Sequence, residues 1–248
     1  MGERLNPTSK QPNPNLDKPA QKIMKGVLGA YMSFYHKLEV DFDPSLPKKG
    51  PAIALTSHFS LLDTIASMVA DPYHNPTTTM VVKESMGKIP VVGWMLNQWG
   101  AIYVNRNGQD LAAVRRILDE LRHGRTICIA PEGTRSRSGR LGSMNQTLVL
   151  LAIEASRQGT PSFPLVQIGT YEALPPGAIL PKPEKIIVKT GPNLDLSPWH
   201  DLRKQRRSLS EEEYLKQLSQ PALLIQTSIA DLLPENRRPF PKTPPLKY

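Results

Sequence analysis

Thiols are nearly absent from this sequence: 248 residues contain one cysteine, Cys128. An internal disulfide is therefore excluded, and a lone thiol fits a reducing compartment. Aromatic residues are scarce, at 6%. No apolar run reaches the roughly 18 residues that a membrane-spanning helix needs, so none is expected. Residues 1–20, MGERLNPTSKQPNPNLDKPA, lack the apolar centre of a signal peptide. Leu5-Asn6 supplies no Ser or Thr where a myristoylation signal would have one. No internal repeat is visible. Acidic residues are outnumbered, and the formal charge is +9. Such an excess favours an anionic partner: a nucleic acid, a phospholipid surface or a phosphorylated substrate. Charge alone does not choose among them. The lone thiol and the lack of a spanning segment fit a cytoplasmic location, and peripheral association with a membrane is one of the options the charge leaves open.

What is present is the alternation of an α/β domain. The prolines Pro7, Pro12, Pro14 and Pro19 make residues 1–20 a disordered or extended lead-in. Residues 21–45 read as an amphipathic helix and a linker. Along 21–38, Ile23, Met24, Val27, Leu28, Tyr31, Phe34, Tyr35 and Leu38 fall on one face, and Lys22, Lys25, Gly29, Ser33 and Lys37 on the other. That face suits either a lipid interface or the domain core. Residues 46–200 form the core. Strands are expected at 52–57, 79–82, 101–105, 126–130, 164–169 and 185–190, with helices near 60–70, 90–98, 109–123 and 143–158. Asn107 is the expected cap of the third helix and Gly124 its stop. This order predicts a mixed, mostly parallel central sheet flanked by helices. Residues 201–248 read as a helical and Pro-rich extension. Ser210 and Glu213 form a capping box there, and Pro221 is expected to interrupt the helix before Ala222–Leu233.

Active sites of such sheets gather where parallel strands end. His58 follows the first core strand, in TSHFSLLDT. Ser60 can cap the next helix, and Asp63 then lies in its first turn. With His58 in the preceding loop, the Asp63 carboxylate can reach one ring nitrogen and leave the other as a general base. A loop histidine beside a helix-capping carboxylate gives the same pattern without chemistry. No G-x-S-x-G elbow is present, which disfavours a serine hydrolase. The substrate's own hydroxyl can serve as nucleophile instead. His36, His74, His123 and His200 show no metal-ligand spacing. Other strand ends carry polar turns: Lys83 in VVKESMGKIPVVGW, Arg106 in GAIYVNR, and Glu132, Gly133, Thr134 and Arg135 in IAPEGTRSRSG. Glycine permits close backbone approach, and guanidinium matches phosphate oxygens.

This set resembles the glycerolipid acyltransferase family, the lysophosphatidic acid acyltransferase-like enzymes. Its first motif, H-x-x-x-x-D, is matched by His58 and Asp63. Its second, a glycine with an arginine six residues on, is matched by Gly100 and Arg106. Its third, P-E-G-T-R-S, is complete from Pro131 to Ser136, and a family-like K-E…K-I-P-x-x-G-W runs from Lys83 to Trp94. A looser fourth motif covers Pro161 to Val166, with Pro164 the best counterpart. The resemblance spans roughly residues 50 to 190. It departs where many members have a Lys-Gly pair after the third motif, since this chain has Ser143-Met144-Asn145-Gln146, and again at Ser162 and Phe163.

The resemblance implies transfer of a fatty acyl group from acyl-CoA or acyl-carrier protein, as co-substrate, to a hydroxyl of lysophosphatidic acid. It implies His58 as base, Asp63 as its orienting carboxylate, and Lys83, Arg106 and Arg135 as holders of the acceptor phosphate. Glu132 would brace its turn or bind the acceptor's glycerol, and Gly133 and Thr134 of the same turn would belong to the substrate-binding residues. No metal and no further cofactor is implied. The partners would be an anionic membrane surface and a phosphorylated lipid, not a nucleic acid. Alternatives stay open: glycerol 3-phosphate, another lysophospholipid or a lyso-ornithine-type acceptor, or a non-catalytic basic protein binding membrane or nucleic acid.

Overall fold

The computed structural model describes residues 19–46, 48–70, 78–105 and 110–247. Arg106, Asn107 and His74 lie outside the described residues.

The chain opens with helix α1, Pro19–Tyr35, and a short strand β1, Glu39–Asp41. Strand β2, Ala52–Thr56, leads to helix α2, Leu62–Val69; strand β3, Thr79–Lys83, leads through a tight turn to helix α3, Pro90–Gln98. Strand β4, Ile102–Val104, helix α4, Leu111–Arg122, and strand β5, Thr126–Ile129, follow. Next come β6, Met144–Asn145, helix α5, Gln146–Arg157, strand β7, Ser162–Ile168, and the single-turn α6, Thr170–Ala173. Strand β8, Ile187–Thr190, helices α7, Leu202–Gln205, and α8, Glu211–Leu232, and strand β9, Leu246–Lys247, complete the chain. The seven-stranded sheet runs β1-β8-β7-β2-β5-β3-β4. Every neighbouring pair is parallel except β7 with β8. The expected mixed, mostly parallel α/β sheet is therefore observed.

The sheet's two faces explain why its strands read as unbroken apolar runs. On β2, Ile53 and Leu55 join one buried cluster with Ile127, Ile129 and Val166, while Ala52 and Ala54 join another with Cys128, Phe163 and Leu165. Side chains alternate along a strand, and both faces are covered by helices. Helices α4, α5 and α8 supply the first cluster. Helices α1 and α2 supply the second.

Three local expectations are corrected. The cap of α4 is Asp110, whose side chain accepts a hydrogen bond from Ala113 N. Helix α8 is not interrupted: Pro221 is buried inside it. An interior proline costs a helix about 3 kcal/mol. Leu218, Ala222, Ile225 and Ile229 are fully buried on the same helix, and each large side chain so buried contributes about 1.5–3 kcal/mol. Packing on the sheet therefore outweighs the broken ladder. The single apolar face expected for 21–38 also divides. Met32 is fully buried, with Met24, Leu28 and Tyr31 packed beside it, whereas Ile23, Val27 and Phe34 face outward at 68%, 64% and 88% exposure. No described helix is long and apolar enough to cross a membrane.

Candidate active site

Parallel strands β2, β3, β4 and β5 end on the same side of the sheet, and their end loops enclose a cavity of about 580 Å³. That size suits a small-molecule or lipid headgroup site. His58, Asp63, Lys83, Asn105, Glu132, Gly133, Thr134 and Arg135 all line it. Its apolar wall includes Leu61, Met80, Val114 and Ile117.

The loop after β2 is wound around one carboxylate oxygen. Asp63 Oδ2 accepts the backbone N–H groups of Phe59 at 2.6 Å and Ser60 at 2.7 Å, and His58 Nδ1 lies 3.2 Å from it. Ser60 assists differently from a side-chain cap of α2: its Oγ accepts from Leu62 N at 3.1 Å and donates to the Leu174 carbonyl at 2.7 Å. Asp63 is 2% exposed, while His58 is partly accessible. With Nδ1 directed at the carboxylate, the proton belongs on Nδ1, and Nε2 is left as the basic nitrogen.

The turn after β5 locks onto the same loop. Ser136 N donates to the His58 carbonyl at 2.9 Å, and Asn145 N donates to the Pro131 carbonyl at 2.7 Å. Gly133 has φ +69°, a conformation that costs a side-chain-bearing residue, which accounts for the glycine in this turn. Glu132 is turned inward, 3% exposed, and its Oε2 accepts the Gly142 N–H at 2.8 Å. Burial pushes its pKa up to about 7, against the amides of Gly142 and His58 and the charge of Lys247; the Asp63 charge adds to the rise. Asp63 Oδ1 and Glu132 Oε1 are buried without a hydrogen-bond partner among the described residues.

Lys83 and Arg135 stand on the rim, both exposed. Neither makes an ion pair among the described residues. Cations on a solvated rim carry little burial cost, so their position by itself does not demand a bound anion. Arg106 lies outside the described residues, but the strand that leads to it is fixed, since Asn105 N donates to Asp110 Oδ2 at 2.9 Å. Behind Lys83, Gly93 meets Gly87 so closely that a Cβ on Gly93 would lie 2.2 Å from the Gly87 carbonyl oxygen. The glycine of K-I-P-x-x-G-W thus permits backbone contact.

Several residues were not anticipated. Gln167 on β7 is buried, and its Nε2 donates to Ser67 Oγ at 2.6 Å and Thr56 Oγ1 at 2.8 Å. This network supports the end of β2 directly before His58. The signal was a lone amide in an apolar run, FPLVQIG. Asp110, Asn145 and Lys247 also line the cavity. A histidine with one nitrogen tied to a carboxylate and the other free can remove a proton from a hydroxyl, and the rim cations can hold an anion beside it.

Comparison with known proteins agrees in sequence and in shape. A sequence model of the Acyltransferase family matches residues 37–168, just over half of the chain. The 1-acyl-sn-glycerol-3-phosphate acyltransferase LPAT1, chloroplastic, of Arabidopsis thaliana is 27% identical over 158 residues, covering 61% of this chain and 42% of that protein. The 1-acyl-sn-glycerol-3-phosphate acyltransferase of Borreliella burgdorferi is 25% identical over 187 residues, covering 73% of this chain and 72% of its own. The chain thus matches less than half the length of the plant relative. The crystal structure of the 1-acyl-sn-glycerophosphate (LPA) acyltransferase PlsC of Thermotoga maritima shares the fold, with a TM-score of 0.58 at 22% identity over 86% of this chain and 82% of that one. With the family match beginning just after α1 and ending with β7, so that it takes in β2, β5 and the loops that form the cavity, the chain belongs to the Acyltransferase family.

Proposed function

We propose that this protein transfers a fatty acyl group from an acyl thioester, acyl-CoA or acyl-carrier protein, to a hydroxyl of lysophosphatidic acid. The observation that carries the reading is the His58–Asp63 pair, 3.2 Å apart, in one cavity with Lys83, Glu132 and Arg135. The names of the similar proteins supply the acceptor. In this reading His58 Nε2 takes the proton of the acceptor hydroxyl as its oxygen attacks the thioester carbonyl carbon. The tetrahedral intermediate collapses, the C–S bond breaks, and the leaving sulfur receives that proton from His58. Asp63 holds the ring and stabilises the imidazolium, as a carboxylate does in a catalytic triad. No acyl-enzyme forms. Lys83, Arg135 and Arg106 position the acceptor through its phosphate, and Glu132 braces the turn beneath His58. The outward Ile23, Val27 and Phe34, with the net charge of +9, support peripheral binding to an anionic membrane.

The experiment is acyl transfer by His58→Ala. Loss of a general base costs about 10²–10⁴-fold, and Asp63→Asn, which can hold the wrong tautomer, falls nearly as far. Transfer near the wild-type rate by a variant with unchanged circular dichroism removes the dyad from the mechanism.

A further inference from the structure

Composition sets residues 234–247 apart as a Pro-rich tail, yet they are bound to the loop that follows the P-E-G-T-R-S turn. Leu141 N donates to the Arg237 carbonyl at 2.9 Å, and Met144 N to the Pro245 carbonyl at 2.8 Å. Arg237 pairs with Glu172 and lies 4.4 Å above the Tyr171 ring; Arg140 lies 4.7 Å above Phe240. Gln226 Nε2 on α8 donates to the Gly142 carbonyl at 2.9 Å, so the loop is held from below as well. Strand β9 then pairs in parallel with β6, placing Leu246 opposite Met144 and Lys247 opposite Asn145. Leu246 is 4% exposed, which anchors the strand. Lys247, its neighbour, lines the cavity with His58, Glu132 and Arg135.

We infer that Lys247 is a phosphate-binding residue of the acyl-transfer cavity, delivered to it by a segment more than a hundred residues from the P-E-G-T-R-S turn. The inference rests on the acyltransferase reading above. Two features favour an anion from outside the protein over a structural partner. Among the described residues, no carboxylate forms an ion pair with Lys247. Glu132, the acid that feels the Lys247 charge, is buried, and desolvation pushes its pKa up to about 7 despite that charge, so it is a poorer partner for the ammonium than an ordinary carboxylate. The side chain is therefore a charged donor in a cavity that opens to ligand, on a strand whose register is fixed. It lies beside Asn145, in the stretch Ser143–Gln146 that lacks a lysine of its own. The phosphate can belong to the lipid acceptor or to the carrier of the acyl thioester, and both present the same chemistry to an ammonium.

The test compares wild type with Lys247→Met and Lys247→Arg, using lysophosphatidic acid and palmitoyl-CoA as varied substrates. Removing one charge-assisted contact at a partly exposed position predicts a rise of about tenfold in one Michaelis constant for Lys247→Met. Lys247→Arg, which keeps the charge, recovers most of it. A rise confined to lysophosphatidic acid assigns the acceptor phosphate, and a rise confined to palmitoyl-CoA assigns the donor. Both constants unchanged overturn the inference, including the case where only the pH profile moves through the loss of a charge near Glu132. Calorimetric titration of glycerol 3-phosphate and of CoA gives a second readout that needs no turnover. If the wild type transfers no acyl group, the functional reading fails by itself. Affinity for either probe that drops about tenfold in Lys247→Met then still supports phosphate binding, and identical affinities overturn it.

Discussion

Glu132 and Arg135 sit three residues apart in one turn and live in opposite environments. Glu132 is 3% exposed, lies under the His58 loop and is bonded to Gly142 N; Arg135 stands on the rim in solvent with no ion pair among the described residues. The same division runs through the whole cavity. Its inner part, His58 with Asp63 and the network of Thr56, Ser67 and Gln167, has its geometry fixed by hydrogen bonds within the protein. Its outer part, Lys83 and Arg135, is exposed, and no such side-chain ties hold it among the described residues. A base must be held in place before the reaction, because a small misplacement is costly. A phosphate-binding cation can complete its contacts when the ligand arrives, and side-chain freedom before then costs little.

Three changes test this division, in order of expected size. The largest concerns Glu132. Its pKa in the folded protein is about 7, above the ordinary 4.5, so the native state keeps a proton that the unfolded chain has lost between those values. This group's contribution to stability is thus greatest below about pH 4.5 and declines as pH rises through about 7, by an amount on the order of 3 kcal/mol. Glu132→Gln removes that slope. Melting curves from pH 4 to 8 should show the variant gaining on wild type as pH rises; a constant offset across the range contradicts the inward, desolvated position of the carboxyl.

On the rim the expected effect is smaller and falls on binding. Arg135→Ala should raise the Michaelis constant for lysophosphatidic acid far more than that for the thioester, lowering kcat/KM roughly 10- to 150-fold, since a charge-assisted hydrogen bond contributes about 1.5–3 kcal/mol. Arg135→Lys should recover part of it, keeping the charge and losing the fork. A fall in melting temperature with no change in either Michaelis constant would make Arg135 a structural residue instead.

The smallest effect lies on α1, whose residues do not line the cavity. Val27 and Phe34 are exposed, so changing both to Ser should leave the melting temperature unchanged while weakening sedimentation with anionic vesicles by several-fold, each apolar side chain contributing about 0.5 kcal/mol when partly buried in lipid. A lowered melting temperature with unaltered sedimentation would place that stripe against the protein.

Much of the sheet was legible because both faces are buried: AIALT, TICI and SFPLVQI are short apolar runs whose neighbours alternate between two cores. The site loops were legible because polar residues in fixed spacing followed those runs. His58 and Asp63 could be paired from position alone, since Asp63 falls in the first turn of α2. What escaped the sequence depends on long-range contacts. Lys247 reaches Asn145 only through β6 and β9, each two residues long and too short to leave a period. Pro221 reads as a helix break, and only the buried face of α8 shows why the helix continues. The division of α1 into inner and outer apolar stripes follows from how it seats against α2, which the spacing of residues 21–38 does not encode.

The most direct measurement is the preference of the wild-type protein for a phosphorylated acceptor. With one acyl thioester as donor, kcat/KM is measured for lysophosphatidic acid and for monoacylglycerol, which differ by the phosphate. Acyl transfer at His58 with the acceptor held by rim cations predicts transfer to both, favouring lysophosphatidic acid by roughly 10- to 150-fold. Equal use of the two acceptors, or transfer to neither, would contradict it.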